Sequence, residues 1–84
     1  MSYTISILRR AQKELEDLPA DAYERVKKDI YTLAEDPRPP GCLKLTSREA
    51  WRIRISHYRV IYEINDEQKI ITILHIGHRR DVYR

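Results

Sequence analysis

The chain has 84 residues, 42% of them hydrophobic and 35% charged, which suits one soluble domain over residues 1–84 and excludes a disordered tail. No apolar run approaches the ~18–20 residues of a membrane span and no basic-then-apolar leader is present, so a cytoplasmic protein without membrane contact is expected. The single Cys42 excludes an internal disulfide and any multi-cysteine zinc site.

The net charge of +3 is small but unevenly spread. Residues 1–40 hold seven Lys/Arg against eight Asp/Glu, whereas residues 41–84 hold nine against five, together with His57, His75 and His78. A basic half of this kind faces anions, and nucleic acid is the commonest large one.

In chain order, Tyr3-Thr-Ile-Ser-Ile7 alternates and is rich in β-formers, which predicts a short first strand. From Leu8 the apolar spacing becomes helical through Ala11, Leu15 and Leu18, and Pro19 is expected to end that helix. Asp21-Ala-Tyr-Glu24 has the form of a capping box. It opens a second helix whose inner side carries Ala22, Val26, Ile30, Leu33 and Ala34. Asp36-Pro-Arg-Pro-Pro-Gly41 breaks any helix and forms the one long loop. Beyond it, Leu43–Leu45 predicts a brief strand, and Ala50–Ile55, Tyr58–Ile64 and Lys69–Ile76 predict three longer ones. Their connections are short enough to require antiparallel hairpins. The fold class is therefore α+β: a short N-terminal strand, a two-helix hairpin, then an antiparallel meander of three to four strands.

Trp51-Arg-Ile-Arg-Ile55 has a period of two, so its arginines share one face. With Ser56-His57 as a two-residue turn, Ile55 pairs with Tyr58, Arg54 with Arg59 and Ile53 with Val60. One face then collects Trp51, Ile53, Ile55, Tyr58, Val60 and Tyr62 for the helices to cover. The other collects Arg52, Arg54 and Arg59. Like charges directly opposed on a sheet cost up to about 1 kcal/mol. Around a phosphate the same guanidiniums are favourable, because their forks bind it bidentately. A phosphate site and a merely solvated basic face both fit this pattern.

Tyr83 lies beyond the last strand among Arg79, Arg80 and Arg84. Cations around a phenol favour its ionised form, which suits proton transfer. Docking of the C-terminal segment is the plain alternative. His78, next to Arg79, is a second proton carrier, whereas His75 reads as a hydrogen-bonded residue of the last strand. No carboxylate cluster with metal-ligand spacing and no glycine-rich phosphate loop occurs, so neither a metal nor a cofactor is expected.

Lys44-Leu45, Trp51-Arg-Ile-Arg54, Tyr58-Arg-Val-Ile-Tyr62 and Gly77-His-Arg-Arg-Asp-Val-Tyr-Arg84 together resemble the RelE branch of the RelE/ParE toxin superfamily. The resemblance implies the RelE-like microbial ribonuclease fold and the toxin of a toxin–antitoxin pair. It also implies a metal-independent endoribonuclease that enters the ribosomal A site and cuts the codon there. In that chemistry the ribose 2′-OH attacks the adjacent phosphate, leaving a 2′,3′-cyclic phosphate and a 5′-OH. Arg59 and Arg79 match arginines that hold the scissile phosphate, and Tyr83 matches a proton-transfer tyrosine. Arg52 and Arg54 fall where the best-known member has lysines that bind RNA and steady the transition state. Arginine stays protonated near neutral pH, so these replacements concentrate proton transfer on Tyr83, with His78 in reserve. Lys44, His78 and Arg80 are further candidate RNA contacts. The partners implied are mRNA, the ribosome and a RelB-like antitoxin, in a toxin–antitoxin hetero-oligomer. A ParE-like gyrase inhibitor and a non-catalytic RNA- or antitoxin-binding module are the rival readings.

Overall fold

The computed structural model describes residues 2–78. In chain order it contains β1 (Thr4–Ile7), α1 (Arg9–Glu16), α2 (Ala20–Thr32), β2 (Leu43–Lys44), β3 (Trp51–Ile55), β4 (Tyr58–Asn65) and β5 (Ile70–His78). The five strands form one sheet in the order β1-β5-β4-β3-β2. It is an α+β fold whose pairings are antiparallel except between β1 and β5.

Both helices lie on one face of the sheet. Ala11 and Leu15 of α1 and Val26 and Ile30 of α2 pack with Ile53, Ile55, Val60, Tyr62, Ile71, Ile73 and Ile76 in a single core. Burial of each such aliphatic side chain contributes about 1.5–3 kcal/mol.

The helix boundary between α1 and α2 differs from the sequence expectation. Pro19 is not the stop of α1 but the residue that opens α2, and Asp21 lies inside the first turn without a side-chain cap. Proline at a helix start has a preset φ and lacks an N–H that would have no helical partner there. Asp21 therefore acts on the positive end of the helix dipole rather than as a capping box.

The long loop closes in a tight turn. Cys42 N–H donates to Pro39 O at 3.0 Å, with Gly41 at φ +91°. Proline second and a positive-φ glycine third is the type II pattern, and it delivers the chain to β2.

Two features of the sheet were not legible in the sequence. First, β1 joins as a parallel edge strand, with Thr4 to Ile7 matching Ile70 to Ile73. Second, β5 carries a bulge. Tyr62 pairs with Ile73 but Ile61 pairs with His75, so Leu74 is an extra residue. The bulge explains how Ile73 and Ile76, three residues apart, both reach the core.

Candidate functional site

The β3–β4 hairpin has the register expected from its two-residue turn. Ile55 pairs with Tyr58, Arg54 with Arg59, Ile53 with Val60, Arg52 with Ile61 and Trp51 with Tyr62. Ser56 in the turn has φ +56°, a left-handed conformation that matches the twist of a tight hairpin. Arg54 thus stands directly across from Arg59, and Arg52 shares their face, opposite the helices.

Their environments differ. Arg54 is exposed, while Arg52 and Arg59 retain only 7% and 8% of their accessible surface, beside the buried Ile61. A guanidinium held at that depth needs polar or electrostatic contacts, and both residues make them. Such contacts and the packing around them restrict the rotamers of both side chains. A cleft of about 470 Å³ runs beside Arg52 and Arg54, between the C-terminal half of α2 and the Pro39–Gly41 turn.

The other candidates are spread more widely. Lys44 pairs with Trp51 in the register, which turns it toward the helix side, and its Nζ lies 3.1 Å from Glu49 Oε2. His78 pairs with Tyr58 and also belongs to the helix side of the sheet. Its ring stacks on His57 with centroids 6.3 Å apart and meets Tyr58 edge-on at 6.0 Å. Neither Lys44 nor His78 shares the arginine face. Arg79, Arg80 and Tyr83 lie outside the described residues.

A cluster that sequence reasoning passed over sits where α1 meets β5. His75 Nδ1 lies 2.9 Å from each carboxylate oxygen of Glu14. Ile76 N–H donates to Glu14 Oε1 at 2.8 Å, and Arg10 Nη2 lies 3.2 Å from His75 Nε2. Arginine can only donate, so Nε2 accepts and the imidazole proton sits on Nδ1, facing Glu14. The available signal was Glu14 itself, three residues after the core-facing Ala11 and so beside the apolar stripe.

At the opposite end of the sheet Arg38, Asp66, Tyr3 and Tyr62 are paired. Arg38 Nη2 is 3.0 Å from Asp66 Oδ2, and Tyr3 donates to Asp66 Oδ1 at 2.5 Å. The Arg38 bond, then the Tyr3 bond, hold the Asp66 carboxyl below its ordinary pKa. Tyr62 is wholly buried and donates to Pro37 O at 2.7 Å. Burial pushes its phenol well above the ordinary tyrosine value, reinforced by Cys42 and opposed by Arg38.

Known proteins share this framework. The family of ParE toxins of type II toxin–antitoxin systems matches residues 5–83. Toxin RelG of Mycobacterium tuberculosis is 32% identical, with 100% of this chain and 99% of that protein aligned. The mRNA interferase toxin RelE of Escherichia coli K12 is 29% identical over 94% of this chain and 85% of its own length. Among solved structures, the archaeal RelE–RelB complex from Pyrococcus horikoshii superposes with a TM-score of 0.84 at 31% identity. That match covers 96% of this chain and 99% of the other.

Proposed function

The chain belongs to the RelE branch of the RelE/ParE toxin superfamily of type II toxin–antitoxin systems, and on that premise we propose that it is a ribosome-dependent mRNA endonuclease. The observation that carries the reading is the cross-strand Arg54–Arg59 pair with Arg52 on the same face. Opposed like charges repel across a sheet, and an RNA phosphate bound between them would offset that repulsion. The naming of the Escherichia coli relative as an mRNA interferase supports the same reading.

In the proposed step the 2′-OH of an A-site nucleotide attacks the adjacent phosphorus. The O2′–P bond forms, the P–O5′ bond breaks, and a 2′,3′-cyclic phosphate remains. Charge develops on the phosphorane oxygens as it forms, and Arg59, Arg52 and Arg54, together with Arg79, oppose it. Tyr83 takes the 2′-OH proton, because no arginine deprotonates near neutral pH. The leaving 5′-oxygen is protonated from solvent to a 5′-OH, because His78 lies on the helix side of the sheet, away from the arginine face. The cationic face supplies the charge that a metal ion supplies in other nucleases, so no metal is required.

A RelB-like antitoxin is the proposed partner, supported by the RelE–RelB complex from Pyrococcus horikoshii. It would keep the arginine face from RNA in a hetero-oligomer. The ParE name of the matching family favours a second reading, a toxin that binds DNA gyrase without RNA chemistry. That function requires no converging arginines.

Primer extension on mRNA bound to purified ribosomes separates the two, with wild type and Arg79→Ala compared. Cuts confined to the A-site codon, absent with Arg79→Ala and with added antitoxin, are the expected result. A folded, antitoxin-released protein that leaves mRNA intact and inhibits gyrase in a supercoiling assay would overturn it.

A further inference from the structure

We infer that Glu14 is a positioning residue for the proposed RNA cleavage: from α1 it fixes the end of β5 that lies alongside Arg59. The inference rests on the nuclease reading, and it starts from an interruption in the sheet. β1 accompanies β5 only as far as Ile73, whose carbonyl accepts from Leu8 N–H at 3.1 Å. Directly afterwards Leu74 bulges out of the β4–β5 ladder. The segment from His75 onward has therefore lost its β1 neighbour and changed register.

Glu14 stands in for the missing strand. One carboxylate oxygen accepts from the Ile76 backbone N–H at 2.8 Å and lies 2.9 Å from His75 Nδ1. Arg10 closes the cluster, with Nε 3.6 Å from Glu14 Oε2 and Nη2 3.2 Å from His75 Nε2. The Glu14 and His75 side chains are each about three-quarters buried, with 26% exposure. A charge-assisted bond in such a setting is stronger than one in open solvent. Glu14 is itself held by the buried Ala11 and Leu15 of its helix. The clasp thus links a rigid element to a short piece of backbone.

What that backbone carries gives the clasp its consequence. Ile76, Gly77 and His78 are in register with Val60, Arg59 and Tyr58. Gly77 and His78 are followed in the chain by Arg79, and then by Tyr83. Fixing Ile76 therefore fixes the Gly77 backbone that lies across from Arg59. In-line attack on a phosphate tolerates little error, and a displacement of about 1 Å can cost about 100-fold in rate.

The test compares Glu14→Ala, Glu14→Gln and Asp66→Ala in single-turnover cleavage of ribosome-bound mRNA at saturating toxin. Asp66→Ala opens the polar clasp at the other end of the sheet and reports what general loosening does. Glu14→Ala should slow cleavage by about 10–100-fold. Its ribosome affinity should stay within about twofold, as expected for a substitution away from the RNA contacts. Glu14→Gln keeps an acceptor for the Ile76 N–H and should restore most of the rate, while Asp66→Ala should cut like wild type. Amide exchange at Ile76 should accelerate in Glu14→Ala and stay slow in Glu14→Gln.

A Glu14→Ala rate equal to wild type, or slowing that Asp66→Ala reproduces at equal thermal stability, would overturn the inference. Should Glu14→Ala fail to fold, Glu14→Gln carries the test, and a folded Glu14→Gln as slow as about one-tenth of wild type would overturn it. Wild type that leaves ribosome-bound mRNA intact would instead sink the nuclease reading on which the inference stands.

Discussion

The two ends of this sheet treat charge in opposite ways. Where β4 turns into β5, Arg38, Asp66, Tyr3 and Tyr62 each have an opposite or complementary neighbour. Arg38 meets Asp66 and covers the Trp51 ring at 5.0 Å, Tyr3 also bonds Asp66, and Tyr62 is tied to Pro37. At the β3–β4 turn the sequence sets Arg54 against Arg59 and buries Arg59. The first arrangement stabilises the fold by itself, since it satisfies the buried Tyr62 hydroxyl and adds the smaller contribution of an exposed Arg38–Asp66 pair. The second sets two like charges across from each other, a repulsion that a bound phosphate would relieve.

The comparison can be broken most forcefully at Arg59. Arg59→Ala should lower ribosome-bound mRNA cleavage by about 10²–10³-fold, the usual loss when one donor to a developing oxyanion is removed. Quantified primer extension would check it, and near-normal cutting would make the arginine face merely structural. At the opposite end, Tyr62→Phe should cost about 1 kcal/mol in urea unfolding and leave cleavage unchanged, because it removes one part-buried hydrogen bond.

The Asp66 clasp makes a smaller, pH-dependent contribution. Its carboxyl is held below its ordinary pKa in the folded chain, so the folded state stays ionised where the unfolded one begins to protonate. Stability from this group is complete above about pH 4 and fades as pH falls through the lower folded value. Thermal melts of wild type and Asp66→Ala should therefore differ at neutral pH and converge in acid. A constant difference would assign the effect to packing. The smallest effect is expected from Lys44→Ala. Lys44 already faces Glu49 on the helix side, so cleavage should change by no more than about twofold.

The legibility of these regions in the sequence follows from the range of the forces involved. The hairpin was readable because a two-residue turn permits few registers, and period-two alternation then assigns every side chain to a face. Hence Arg54 opposite Arg59 could be derived before any fold was known. The start of α2 departs from the expectation because Pro19 and Asp21 each carry a helix-start signal, and the proline takes precedence. Long-range features left weaker marks. Thr4–Ile7 alternates, but alternation does not say which strand it will join or in which direction. Ile70–Ile76 is apolar with little alternation, so the bulge at Leu74 was hidden in a run that reads equally well in either register. Glu14 leaves only a weak mark beside the apolar stripe of α1, since its partner is a backbone N–H left open by that bulge and by the end of β1. His75, read as a hydrogen-bonded strand residue, does bond to Glu14.

Arg54→Ala offers the most direct test of the contrast between the two ends, read twice on one preparation by urea unfolding and by cleavage of ribosome-bound mRNA. Removing a like-charge neighbour should leave stability unchanged or raise it by up to about 1 kcal/mol, while cleavage falls. A variant that is less stable than wild type yet cuts at the full rate would show that the paired arginines serve the fold and not the RNA.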